Sequence, residues 1–184
     1  MRKAGVFLLK NFCVSTIIAI SIVIICAIIY RILYSYFGSP QGIGYHSETY
    51  WVKDGCGNHL LRFVLTEYPN LKLMYIGNYC FGIVKILRVD GLNQLKTIQI
   101  GKNSFTQKED SWGSDFSKSF HVLNCESLES IEIGEYSFSD YAGDFELKNL
   151  PKLQMLKIGS VNIGSNNFYH SSFIIRGIDM TLNT

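Results

Sequence analysis

The chain has 184 residues, 47% hydrophobic and 14% aromatic, which is room for about one domain and too apolar for a disordered polymer. Its net charge of +2 is unevenly spread: residues 1–47 carry Arg2, Lys3, Lys10 and Arg31 and no acid, while from Glu48 onward 15 acids face 13 Lys and Arg. That slightly acidic body excludes a nucleic-acid footprint, because neutralising phosphates takes clustered Lys and Arg.

Between Lys10 and Arg31 lie twenty uncharged residues, Asn11 to Tyr30, rich in isoleucine (Ile17-Ile18, Ile22-Val23-Ile24-Ile25, Ile28-Ile29). At 1.5 Å per residue a helix of this length reaches about 30 Å, the thickness of a hydrocarbon core. Tyr30, Tyr34 and Tyr36 gather at one end, where amphipathic rings favour the membrane interface. The segment predicts a transmembrane helix over residues 11–33 after a short tail, residues 1–10. The competing reading is a cleaved secretory signal, whose apolar region is usually about 7–15 residues and ends in small residues. This run is longer, and Cys26-Ala27-Ile28 is a poor cleavage context. A buried soluble helix is excluded by the apolar character of every face. The basic flank places the N-terminus in the cytoplasm and the rest of the chain in the lumen or outside. Against that orientation stand the missing Asn-X-Ser/Thr sequon and the odd count of cysteines beyond the span: Cys56, Cys80 and Cys125. Cys13, near the cytoplasmic end, is a weak palmitoylation candidate.

Residues 34–60 read as a juxtamembrane linker and N-terminal cap. The stretch from Gly38 to Gly44 lacks the strand–turn–helix setting of a nucleotide site. Cys56, in a glycine-flanked turn, is a candidate to pair with Cys80 as a cap staple, with connectivity left open.

Residues 61–178 carry the dominant pattern. Four blocks share one apolar frame: Leu71-Met74-Ile76-Gly77, Leu95-Ile98-Ile100-Gly101, Leu128-Ile131-Ile133-Gly134 and Leu153-Leu156-Ile158-Gly159. Their anchors lie 24, 33 and 25 residues apart, and periods of this size mean stacked supersecondary units. Phe81, Phe105 and Phe138 follow their glycines by four residues and fit the core between turns. Before each block an aromatic or leucine, any residue, and an aliphatic recur, at Phe63-Val64-Leu65, Leu87-Arg88-Val89, Phe120-His121-Val122 and Phe145-Glu146-Leu147, and again at Phe173-Ile174-Ile175. Each turn is therefore expected to supply two short strands with alternate residues inward. The glycines are expected where the chain bends through angles a side chain forbids. After Ile158-Gly159 the motif repeats at once as Ile163-Gly164, leaving two candidates for one position. The long second interval comes from an insertion, Thr106 to Asp115, in which Trp112 is either an anchor for a partner or folded over the flank of the array. Residues 179–184 read as a C-terminal tail.

The frame seen from Leu128 to Phe138 resembles the short repeats of BspA-like leucine-rich repeat surface proteins of bacteria and protists, which carry a similar G-x-x-[SA]-F step. The joining segment Phe145 to Leu153 resembles protist versions of the array. The resemblance covers about Phe63 to Ile178. It implies a β-rich leucine-rich repeat solenoid, here of about four to five short turns preceded by one transmembrane α-helix, and a role in adhesion or protein binding.

Outward residues of successive strands stack into columns. One column is expected to be Tyr75, Gln99, Glu132 and Lys157, with Glu132 and Lys157 on adjacent rungs as a pair worth about 0.2–1 kcal/mol. These four and Trp112 are the candidate partner-binding residues. The next column reads Leu73, Thr97, Ser130 and Met155. The bland alternative is a merely solvated face. His121 is expected to point outward into solvent, and His46, His59 and His170 lack metal-ligand spacing. Cys125 stands in the place of Leu92 and Leu150 and reads as a small buried hydrophobe. No phosphate loop or nucleophile motif occurs, so neither an enzyme nor a cofactor is expected. The expected function is a membrane-anchored module binding a protein or surface glycan, with the lipid bilayer held through residues 11–33. The alternatives are a cytosol-facing scaffold on an internal membrane, or a truncated member of a larger repeat family.

Overall fold

The computed structural model describes residues 20–29, 44–107, 114–160, 162 and 164–178. The chain divides into two units, Met1–Phe37 and Gly38–Thr184. In the first, residues 20–29 are helical, and their apolar side chains from Ile20 to Ile29 are exposed. Ten residues rise about 15 Å, half a hydrocarbon core. Among the described residues no helix is long and apolar enough to cross a membrane, so the span expected over 11–33 is not matched at its full length. Residues 11–19 and 30–33 of that span, and Cys13 with them, lie outside the described residues.

The described residues of the second unit form a parallel β-solenoid of ten strands: β1 (Thr49–Val52), β2 (Arg62–Leu65), β3 (Leu73–Ile76), β4 (Ile86–Asp90), β5 (Thr97–Ile100), β6 (Ser119–Leu123), β7 (Ser130–Ile133), β8 (Asp144–Lys148), β9 (Met155–Ile158) and β10 (Ser172–Arg176). Odd strands form one sheet in the order β1-β3-β5-β7-β9, and even strands form the other, β10-β8-β6-β4-β2. Each of the five coils gives one strand to each sheet, as the two apolar signatures predict. The first sheet begins earlier than they suggest. β1 lies inside the segment read as linker and cap, and it pairs with β3 in register, Tyr50 with Met74 and Val52 with Ile76.

The core is two walls of inward side chains and a column of phenylalanines. Phe81, Phe105, Phe138 and Phe168 stack at 5.2, 4.7 and 4.7 Å between successive ring centroids. Phe120 and Phe145 stack at 5.0 Å from the even sheet, and Phe120 meets Phe138 edge-on at 5.2 Å. Offset stacks and edge contacts of this kind add about 0.5–1.5 kcal/mol per pair to the area buried.

Three of the four recurrent glycines work differently from the expectation, while the fourth, Gly159, has the positive φ it called for, 64°. Gly77, Gly101 and Gly134 do not have positive φ. A Cβ on Gly134 would lie 2.6 Å from the backbone of Gly101 and Lys102 in the coil below, and one on Gly101 would lie 2.6 Å from Gly77. The constraint is close stacking of one coil on the next. It matches the ladder in which Gly77, Gly101, Gly134 and Gly159 each donate N–H to the carbonyl of Val52, Ile76, Ile100 and Ile133, every one at 2.8 Å. Other left-handed turns belong to Tyr79, Asn103 and Tyr136, and to the phenylalanines two residues on, with φ between 52° and 60°. Such residues cost about 1–3 kcal/mol each unless the surroundings fix them. Here neighbouring coils do: Tyr79 N–H donates to Lys102 and Asn103 N–H to Glu135. A Gly134→Ala protein is expected to lose about 1–3 kcal/mol in urea unfolding. Gly164→Ala, where an added Cβ meets nothing within 4 Å, is expected to stay within about 0.5 kcal/mol.

The duplicated motif divides its work. Ile158-Gly159 takes the strand position, with Ile158 paired to Ile133. The second copy completes the turn: Phe168 supplies the ring of the column, and the Asn167 amide donates to the carbonyls of Gly134 and Ser137, both at 2.8 Å. Asn167 thereby continues a ladder in which Ser104 Oγ donates to the Gly77 carbonyl and Ser137 Oγ donates to the Gly101 carbonyl.

Candidate functional site

The odd sheet presents the expected column in register: Tyr75 opposite Gln99, Gln99 opposite Glu132, Glu132 opposite Lys157. The alternation behind it is plain in the strands, where Met74, Ile76, Ile98, Ile100, Ile131 and Ile133 are buried while the residues between them are half-buried or exposed. The column also extends one rung further. Trp51 pairs with Tyr75, is 63% exposed, and stacks on the tyrosine ring at 6.1 Å and 11°. Sequence reading missed it because the first coil lacks the Leu-to-Gly frame: Lys53 stands where the later coils carry glycine. Among the described residues no strand lies beyond β1, so its turn need not leave room for a neighbour. The available signal was the alternation of Tyr50 and Val52 around Trp51.

Gln99, Glu132 and Lys157, with Lys102, Glu135 and Ser160, line a shallow groove of about 370 Å³. Glu132 and Lys157 sit on adjacent rungs, but they make no ion pair, so both charges remain available along the groove. The rim is fixed by hydrogen bonds from coil to coil. Asp54 accepts from the Asn78 N–H and amide at 2.8 and 3.1 Å, which holds its carboxyl below the usual range, and Asn78 accepts from Lys102 N–H at 2.9 Å. In the parallel column Ser130 and Thr97 are bonded at 3.2 Å. The result is a flat strip with an aromatic end (Trp51, Tyr75) and a charged end (Glu132, Lys157).

The remaining candidates lie elsewhere. Trp112 falls in residues 108–113, outside the described residues. The stem of that insertion is described: Lys118 and Asp140 form a buried ion pair at 2.7 Å, and Asp115 bridges to Tyr141. His121 is only partly solvated; its Nδ1 lies 3.1 Å from Glu146 Oε2 on the next rung of the even sheet. Cys56, Cys80 and Cys125 are free thiols, so the proposed staple between Cys56 and Cys80 is absent from this structure. Cys125 is buried in the place of Leu92 and Leu150, and burial pushes its thiol up to about 11, leaving it protonated and unreactive at neutral pH. Among the described residues no group of three His, Cys, Asp or Glu side chains is arranged to hold a metal. The chain matches no family model, no curated protein and no solved structure.

Proposed function

We propose that this chain is a membrane-anchored leucine-rich repeat protein whose odd-sheet face binds an extended partner, a protein segment or a surface glycan. The observation that carries it is the in-register column Trp51-Tyr75-Gln99-Glu132-Lys157, whose last three residues line a shallow groove. Exposed Trp51 and half-buried Tyr75 beside unpaired polar and charged groups supply apolar contact and orienting hydrogen bonds on one rigid strip. The uncharged run from Asn11 to Tyr30, with exposed apolar residues along its described helical part, supports the anchor. The likeness to BspA-like repeats supports an adhesive role.

Two measurements test this reading. With tags at both ends, protease added to intact cells is expected to remove the C-terminal tag and spare the N-terminal one. A C-terminal tag shielded until detergent is added replaces surface adhesion with a cytosol-facing scaffold. Cells displaying the chain are then scored for attachment to a panel of protein-coated and glycan-coated surfaces. Trp51→Ala with Glu132→Lys is expected to weaken attachment about tenfold or more, the scale of one or two anchor residues. Attachment unchanged by both substitutions removes the odd sheet as the binding face.

A further inference from the structure

The two ends of the solenoid are built differently. At the first coil, the inward residues Tyr50, Phe63 and Leu65 are 3%, 0% and 0% exposed. At the last coil they are not covered. Phe173 and Ile175 are 53% and 44% exposed, whereas the residues at the same two positions in β2, β4, β6 and β8 are all 0% exposed. Leu156 and Ile158, the inward residues of β9, are half-exposed in the same coil and extend this apolar end.

The backbone of β10 is open at the same place. Ser172 N–H donates to Gly143, and the Arg176 carbonyl accepts from Asn149, so the even-numbered residues of β10 turn their main-chain groups toward β8. Strand alternation then turns the N–H and C=O groups of Phe173 and Ile175 to the other edge, where no described strand pairs with them. The same two residues thus carry the uncovered side chains and the unpaired backbone.

From this coincidence we infer that β10 is a self-association edge that pairs antiparallel with β10 of a second copy about a two-fold axis at Ile174. In that register Phe173 faces Ile175 of the second copy, and each such pair exchanges both main-chain hydrogen bonds, as an antiparallel hydrogen-bonded pair requires. Their inward side chains cover one another, and Ile174 meets its own copy in the intervening non-bonded pair. No like charges are opposed along the strand, because Ser172 falls across from Arg176. A head-to-tail contact with a second copy is disfavoured, since Tyr50, Phe63 and Leu65 of the first coil's inward residues are already buried and Val52 alone of them is half-exposed. The edge of β9 is disfavoured too. Met155 and Gly159 turn their N–H groups toward β7, so a two-fold on the open edge would centre on Lys157 and set that lysine against itself. An isologous contact closes on itself and consumes the β10 edge of both copies.

The full chain purified in detergent tests this directly. Its protein mass in sedimentation is expected to be twice 20.9 kDa. Phe173→Asp with Ile175→Asp is expected to raise the dissociation constant at least about 100-fold by removing apolar cover on both chains. In a Cys13→Ser, Cys26→Ser, Cys56→Ser background, Ile174→Cys is expected to form a disulfide dimer on mild oxidation, because the non-bonded pair at the axis brings Cα atoms to about 4.5 Å. Ser172→Cys in the same background is expected not to cross-link. Preferential cross-linking at Ser172, equal cross-linking at both positions, or a monomeric wild-type chain overturns the inference. So does slow amide exchange at Phe173 and Ile175 in a monomer, which would mean that the chain covers its own edge.

Discussion

Replacing Phe138 by alanine is expected to destabilise the solenoid by about 3–5 kcal/mol, the usual cost of deleting a fully buried phenylalanine ring. The ring is 0% exposed and meets four other aromatic rings. It stacks on Phe105 and on Phe168, each at 4.7 Å, and receives the edges of Phe120 at 5.2 Å and Tyr141 at 4.9 Å. Its removal leaves a cavity touching three coils and both sheets, and the close stacking at Gly134 restricts how far the coils can settle into it. Leucine fills more of the space and should recover part of the loss. Phe116→Ala, at a ring that is 76% exposed, is expected to fall within about 0.5 kcal/mol of the parent. Urea midpoints with unchanged slopes read these differences. Equal effects at Phe138 and Phe116 would mean that the phenylalanine column is not the spine of the fold.

That column was legible in the sequence, and its legibility has a physical basis. In a solenoid each coil repeats the same packing problem, so the same residue types return at the same offset. The two strand signatures located β2 to β10 for the same reason, and the register followed from the period. What could not be read came from the places where repetition stops. Among the described residues β1 has a coil on only one side, so it needs no glycine, and Trp51 disappeared into a segment that reads as linker. In the last repeat, Ile158 and Phe168 belong to one coil although two copies of the motif separate them, because strand pairing selects the first copy and ring stacking the second.

The glycines teach a narrower lesson. A recurring glycine admits two explanations, an unusual backbone angle or the approach of a neighbour, and sequence cannot separate them. Here the unusual angles fall on Tyr79, Phe81, Asn103, Phe105, Tyr136 and Phe138, types that rarely advertise a left-handed turn. Inter-coil hydrogen bonds from the N–H groups of Tyr79, Phe81, Asn103, Phe105 and Phe138 hold them there, and those bonds join residues 23 or more positions apart. The binding strip was legible as a column but not as a balance of charges. Whether Glu132 and Lys157 join depends on side-chain reach across a rung, which spacing does not report.

Breaking the ion pair under the insertion is expected to be as damaging as hollowing the core. Lys118 Nζ lies 2.7 Å from Asp140 Oδ2, with side chains only 2% and 8% exposed. The pair joins the stem of the insertion to the following coil. Gln107 N–H reaches Asp140 Oδ2 at 3.3 Å from one side, and Asp115 N–H donates to the Asp140 carbonyl at 2.9 Å from the other. Lys118→Ala strands a buried carboxylate whose second oxygen, Oδ1, already lacks a hydrogen-bond partner among the described residues. The expected loss is about 3–5 kcal/mol, because an uncompensated buried charge is far worse than either a pair or an apolar filling. The ammonium also lies 5.4 Å from the ring of buried Tyr141, a contact that goes with it. Lys118→Met with Asp140→Leu removes both charges and keeps the volume, so it is expected to restore most of the stability lost by either single change. A double-mutant cycle in urea reads the coupling directly. If the two losses simply add, Lys118 and Asp140 do not act as a pair. If the double variant is restored, the insertion is held by packing that an apolar stem supplies equally well, and the charges serve to fix which residues meet there.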